Sequence, residues 1–221
     1  MLDQSAAERN PDGGFSLLEL LIAMAITLII MSIASTLLAT SFKIRTRENA
    51  RTDSIADVQR GLNIMTREIA IGGYGFEPAS NGLVANDCDN SSLRVRSNLN
   101  RYSGNSYTIE SANEDLKYLI DTTNGQNYLV RYDRFATGSQ KTVLANRVDN
   151  LAIIYWGPGH TTLDVSADPS QVVNAIGMRI TVSVDLPAVG TPGSPGYQPA
   201  TTMALTSDVT LRNKTQNLET Y

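Results

Sequence analysis

The chain has 221 residues, 42% of them hydrophobic, a formal net charge of −4, one histidine and one cysteine. That length suits one globular domain with an attachment, and the charge balance has no basic surplus to advertise nucleic acid. A lone cysteine excludes an intrachain disulfide, and with one histidine beside it the chain lacks the parts for a His-Cys metal cluster.

The first 14 residues are polar and net acidic, with Asp3, Glu8 and Asp12 against Arg9. Residues 15–42 follow as an almost wholly apolar run whose only charge is Glu19. At about 1.5 Å per helical residue, roughly 28 residues reach about 42 Å, more than the ~30 Å hydrocarbon core, which predicts a membrane-spanning helix. A secretory signal fits worse, because the run is too long and no small-residue exit precedes Lys43. Carried deep into lipid without a partner, Glu19 would cost about 2 to 3 kcal/mol.

The junction Asp12-Gly13-Gly14-Phe15-Ser16, with Glu19 at the fifth position after it, resembles the class III signal of type IV pilins. The resemblance implies that a prepilin peptidase cuts after Gly14 and methylates the amino group of Phe15. It also implies that Glu19 neutralises the Phe15 amine of a neighbouring subunit; the plainer alternative is a carboxylate lying at the headgroup boundary. Leaders of that family are usually basic, whereas this one is acidic and Lys43, Arg45 and Arg47 follow the helix. A positive-inside count would therefore put the C-terminal side in the cytoplasm, and the periplasmic orientation rests on the resemblance.

No Gly or Pro interrupts residues 15–60, so the helix is expected to continue beyond the apolar run. Ile55, Val58, Leu62, Met65 and Ile69 recur at spacings of three and four and predict a stripe that packs on a sheet, with Arg51, Asp53, Asp57, Arg60 and Arg67 mainly elsewhere. Gly61 reads as a tolerated weak point and Gly72-Gly73 as the close of a helix of about 57 residues. Residues 62–78, with the Arg67-Glu68 pair, an apolar step and a glycine-aromatic close, resemble PilW-like minor pilins. A nearby cysteine pair that many of those relatives carry is missing.

Residues 79–113 are rich in Asn, Ser, Gly and Asp and predict a loop with one or two short strands, one near residues 93–95. Asp87, Asp89 and Asn90 invite a calcium reading, but the spacing lacks the glycine and closing glutamate of an EF-hand loop, so solvated turn residues are preferred. Cys88 reads as a small buried residue. From Leu116 the period is two, with strands predicted at 116–120, 128–132, 141–145 and 148–155 in one meandering antiparallel sheet. Met178, Ile180, Val182, Val184 and Leu186 alternate with polar residues, as do Met203, Leu205, Val209 and Leu211. Residues 187–199 between them read as an exposed hairpin loop. Trp156 and the nine tyrosines are expected mostly in the core, and His160 in a turn. Residues 147–155, 177–180 and 209–213 again resemble PilW-like proteins.

The expected fold is α+β and pilin-like: a leader at 1–14, a transmembrane and filament-core helix at 15–42, its amphipathic continuation at 43–75, and a β-rich domain at 76–221. The resemblance implies a minor pilin of a bacterial type IV pilus, not an enzyme, with no cofactor and no metal. Its implied partners are other major and minor pilins, the prepilin peptidase and the inner-membrane assembly platform, with no direct nucleic-acid partner. It would span the inner membrane once through residues 15–42, hold its C-terminal domain in the periplasm, and pass to the pilus. The alternatives are a J-like minor pseudopilin of a type II secretion system, or a tip-exposed module for adhesion or DNA uptake.

Overall fold

The computed structural model describes residues 14–76, 80–102 and 108–214 and divides into two compact units, one ending at Thr46 and the other starting at Arg47. Most of the predicted leader thus lies outside the described residues, as do Glu77 and Pro78 of the glycine-aromatic motif.

In the first unit the helix α1, Leu17–Ala70, begins at a reciprocal cap. Ser16 Oγ accepts from the Leu18 N–H at 3.2 Å, and Glu19 Oε2 accepts from the Ser16 N–H at 3.0 Å. Ser16-x-x-Glu19 is a capping box, and its carboxylate also sits at the positive end of the helix dipole. The apolar run has a mean hydropathy of 2.5 over 18 residues and buries none of that window. Hydroxyls within it donate back to the helix, Thr36 to Ile33 O at 2.8 Å and Ser41 to Leu37 O at 2.9 Å, so these side chains bring no unpaired donor to an apolar solvent.

In the second unit Val58, Leu62, Met65 and Ile69 are buried and Ile55 is half-buried, as the stripe predicts. Gly61 is more than tolerated: a Cβ there would stand 3.3 Å from Leu129 Cδ2 and 3.4 Å from Leu144 Cβ, so its lack of a side chain lets the helix close on the strands below. Arg47, expected as part of a basic flank, is instead buried and donates to Pro199 O and, at 3.0 Å, to Thr201 Oγ1. The helix end is finished from far along the chain. Arg212 N–H donates to Ala70 O at 3.3 Å, and Asn213 Nδ2 to Ile71 O at 3.2 Å and Gly72 O at 3.1 Å. These bonds satisfy carbonyls that a helix C-terminus leaves open.

The strands form two four-stranded antiparallel sheets where one had been expected. The first is the meander β1 (Leu93–Arg96), β2 (Asp115–Thr123), β3 (Gln126–Asp133) and β4 (Lys141–Asn146). Its central hairpin turns on Asn124 and Gly125, both at positive φ, 54° and 72°, the geometry of a two-residue Asn-Gly turn. The second sheet has the order β6 (Thr162–Leu163), β5 (Asn150–Trp156), β7 (Gly177–Leu186), β8 (Thr201–Thr210). The meander breaks after β4 because Arg147 takes a left-handed φ of 56° and Val148 turns fully into the core, so β5 leaves its predecessor and pairs with β7. The expected alternation holds in β7, whose even-numbered side chains are buried, and in β8, whose even-numbered ones are exposed. Residues 187–199 do form a hairpin connection, closed by a bridge between Val189 and Gln198. Of the tyrosines, Tyr118 and Tyr155 are in the core, whereas Tyr74, Tyr102 and Tyr132 are exposed; edge and loop positions override the aromatic preference for burial.

A fragment beginning at Arg45 is expected to be soluble and to melt cooperatively, and Met65→Ala should destabilise it by about 2 to 5 kcal/mol through the cavity left in the core. Denaturant titration followed by circular dichroism reads both; a fragment without a cooperative transition would mean that the apolar run contributes to the domain core.

Candidate functional site

The segment from Gly14 to Glu19 is where the sequence concentrates its functional signal. Gly14 is exposed, a Cβ built on it would meet nothing within 4 Å, and it is not among the glycines at positive φ. Folding therefore does not require glycine at this position, in contrast to Gly82, where a Cβ would come within 2.2 Å of Arg96 O. Phe15 is 90% exposed. Glu19 already accepts the Ser16 N–H, a role that the sequence reading missed although Ser16-x-x-Glu19 spells it out. The second carboxylate oxygen remains able to accept from another donor.

In the second unit the Arg67-Glu68 pair is separated by the helix. Arg67 points to solvent, while Glu68 turns inward to accept from Arg131 Nε at 2.9 and 3.1 Å and from the Tyr118 hydroxyl. Arg131 also donates to Asn113 Oδ1 at 2.5 Å. Burial, reinforced by the Glu68 charge, pushes the Tyr118 hydroxyl well up, so it stays a donor. Burial works against the Arg131 charge, but the Glu68 hydrogen bonds and charge outweigh it.

Asp87 and Asp89 do not form a cation loop. Asp87 is bound by Arg94 Nη1 at 2.6 Å and Lys117 Nζ at 2.7 Å, which corrects its reading as a solvated turn residue. Asp89 does close a turn, accepting from the Ser91 and Ser92 N–H groups at 2.5 and 2.6 Å. Among the described residues no group of three or more His, Cys, Asp and Glu is placed to hold a metal ion. Buried Asp115 takes a two-pronged contact from Arg94 at 2.7 Å on each oxygen, and Arg96 adds a third donor at 3.2 Å. Burial alone would raise its pKa, but the Arg94 and Arg96 interactions hold it below the ordinary carboxylate range. The hydrogen bonds of Lys117 and Arg94 do the same for Asp87.

Glu114, 1% exposed, ties the polar loop together by accepting the backbone N–H groups of Leu99, Asn100, Glu110 and Ser111 at 2.9 to 3.2 Å. Its partners are main-chain groups, so no residue pattern announces it. Cys88 is buried, and burial raises its thiol pKa, which removes the thiolate a nucleophile needs. His160 is exposed on a 3-10 turn after Gly157, with its ring 5.8 Å from that of Trp156.

Residues 9–35 match the prokaryotic N-terminal methylation motif. No curated protein matches the chain. The motif, at the head of a long apolar helix followed by antiparallel sheets, supports a type IV pilin- or pseudopilin-like protein with a pilin-like α+β architecture and a membrane-anchoring helix. It implies processing by a prepilin peptidase and assembly with other pilins.

The low pKa values of Asp87 and Asp115 give stability that is complete above their unfolded values near pH 4 and is lost as pH falls through the folded ones. Asp115→Asn should cost about 1.5 to 3 kcal/mol at neutral pH, because it removes the charged acceptor shared by Arg94 and Arg96 while Arg94 keeps Asp87. Its gap from the parent should narrow below about pH 4. Urea midpoints from pH 7 to pH 2.5 measure this; a gap that does not change with pH would remove the charge of Asp115 as the cause.

Proposed function

We propose that this chain is a minor pilin subunit of a bacterial type IV pilus, PilW-like, with a structural rather than catalytic role. The peptidase cuts between Gly14 and Phe15 and methylates Phe15. Residues 15–42 cross the inner membrane and later line the filament core, the C-terminal domain stands in the periplasm, and the subunit joins other major and minor pilins on the inner-membrane platform to start or cap the fibre. The observation that carries this reading is the methylation motif over residues 9–35 at the head of an apolar helix with no part of its core window buried. That surface needs lipid or other helices around it. A glycine at 14 that the fold does not require supports selection by an outside reader of the sequence, and Glu19 supplies an acceptor for a neighbouring amine.

Gly14→Val should leave a longer, unprocessed chain, seen by size and by N-terminal sequencing. Glu19→Ala should still insert and be cut, yet enter sheared fibres poorly, because a buried amine without a counter-charge costs several kcal/mol. Recovery of Glu19→Ala in fibres at the parent level would defeat the pairing; failure already at insertion would make Glu19 an anchoring residue. Deletion of the gene should reduce surface fibres in electron micrographs, whereas intact fibres with lost protein secretion would reassign the chain to the J-like pseudopilins.

A further inference from the structure

Among the described residues β8 ends its sheet and pairs along all ten residues only with β7. One bond sets the phase of its backbone. Leu211 N–H donates to Ile176 O at 2.9 Å, one position beyond the Thr210–Gly177 pair, so odd-numbered residues of β8 turn N–H and C=O toward β7. Carried across β7 to β5, the same alternation points the Ile153 N–H away from β7, and it does donate outward to Asn90 O at 2.8 Å. Thr202, Ala204, Thr206, Asp208 and Thr210 therefore present main-chain donors and acceptors at the open edge, with no main-chain partner there among the described residues.

Natural edges of this length are usually blunted by lysine, proline, a bulge or a covering segment. β8 has none of the first three, and the end of α1 covers its outer side only past Thr210, where the Arg212 N–H donates to Ala70 O at 3.3 Å. By contrast β1 is covered along its outer side by residues 82–84, and β4 is short, at six residues, on a ladder that shifts register at Leu129 and Val130. At its Thr210 end the open edge adjoins a groove of about 800 Å³ lined by Asn63, Thr66, Arg67, Asp208, Thr210 and Arg212, among others. Asp208 is neutralised by the fork of Arg179 at 2.8 and 2.9 Å. Arg67 and Arg212 are exposed and have no acidic partner among the described residues. The groove is therefore positively charged beside an unused ladder.

We infer that β8 receives an extended, acidic peptide segment of another protein as an added strand. Its main chain continues the ladder on Thr206, Asp208 and Thr210, and its carboxylates meet Arg67 and Arg212. The inference rests on the edge and the groove, not on the assignment to a pilus.

The test uses the full chain in detergent and a fluorescein-labelled decapeptide of alternating Val and Thr with two Glu near one end, read by anisotropy. Saturable binding is expected, weakened at least about tenfold when Glu is replaced by Gln or when Arg67→Ala and Arg212→Ala are combined. N-methylation of one alternating set of peptide amides should abolish binding and of the other set should spare it, because only one set faces β8. Asp208→Pro removes an outward N–H and should also abolish binding. Since that variant could fail to fold, Arg67→Glu with Arg212→Glu is the second arm and should transfer preference to a Lys decapeptide. Four results would overturn the inference: no saturable binding of the Glu peptide, equal binding of both N-methylated forms, displacement of the peptide by self-association of the chain, or displacement by a single-stranded oligonucleotide with the same arginine dependence.

Discussion

The contact that fixes the second unit is Glu68 held between Arg131 and the Tyr118 hydroxyl. Burial of Val58, Leu62, Met65 and Ile69 draws the helix onto the sheets, but apolar burial has little directional preference and would allow the helix to roll. A carboxylate that must meet a planar guanidinium and a phenol allows much less. Gly61 extends the same control to distance, since the helix can approach Leu129 and Leu144 only where no side chain intervenes. With roll and distance set, Ile55 and Ile64 sit at the margins of the buried stripe and Arg67 is left in water.

Periodicity made the larger features legible. The apolar run, the stripe on the continuing helix and the alternation in β7 and β8 all follow from side chains repeating at 3.6 or 2 residues. The division into two sheets was not legible, because it depends on Arg147 adopting a backbone conformation common in glycine and uncommon in arginine. The roles of Asp87 and Glu114 were hidden for a related reason. Their partners lie 7 to 30 positions away for Asp87 and on the main chain for Glu114, and composition records neither distance nor main-chain direction. The capping box at Ser16 and Glu19 was legible, because the two residues stand at the spacing that the cap requires.

The two ends of the problem differ in what constrains them. Gly82 and Gly73 are held by packing and positive φ, so the fold itself explains them. Gly14 has open space and Phe15 is exposed, so the fold explains neither. Both lie within the stretch 9–35 that matches the N-terminal methylation motif.

The capping of the helix end by Arg212 and Asn213 has a temporal consequence. These groups lie about 140 positions after Ile71 and Gly72, so the last turn of the helix gains its final acceptor bonds only when residue 213 has been delivered. Contacts of such sequence separation form late, since the intervening chain must first be ordered. While the chain is being made, its longest element thus stays incompletely closed, and the act that closes it also reports that the whole second sheet has arrived. Completion of the helix is in this sense a length check on the chain.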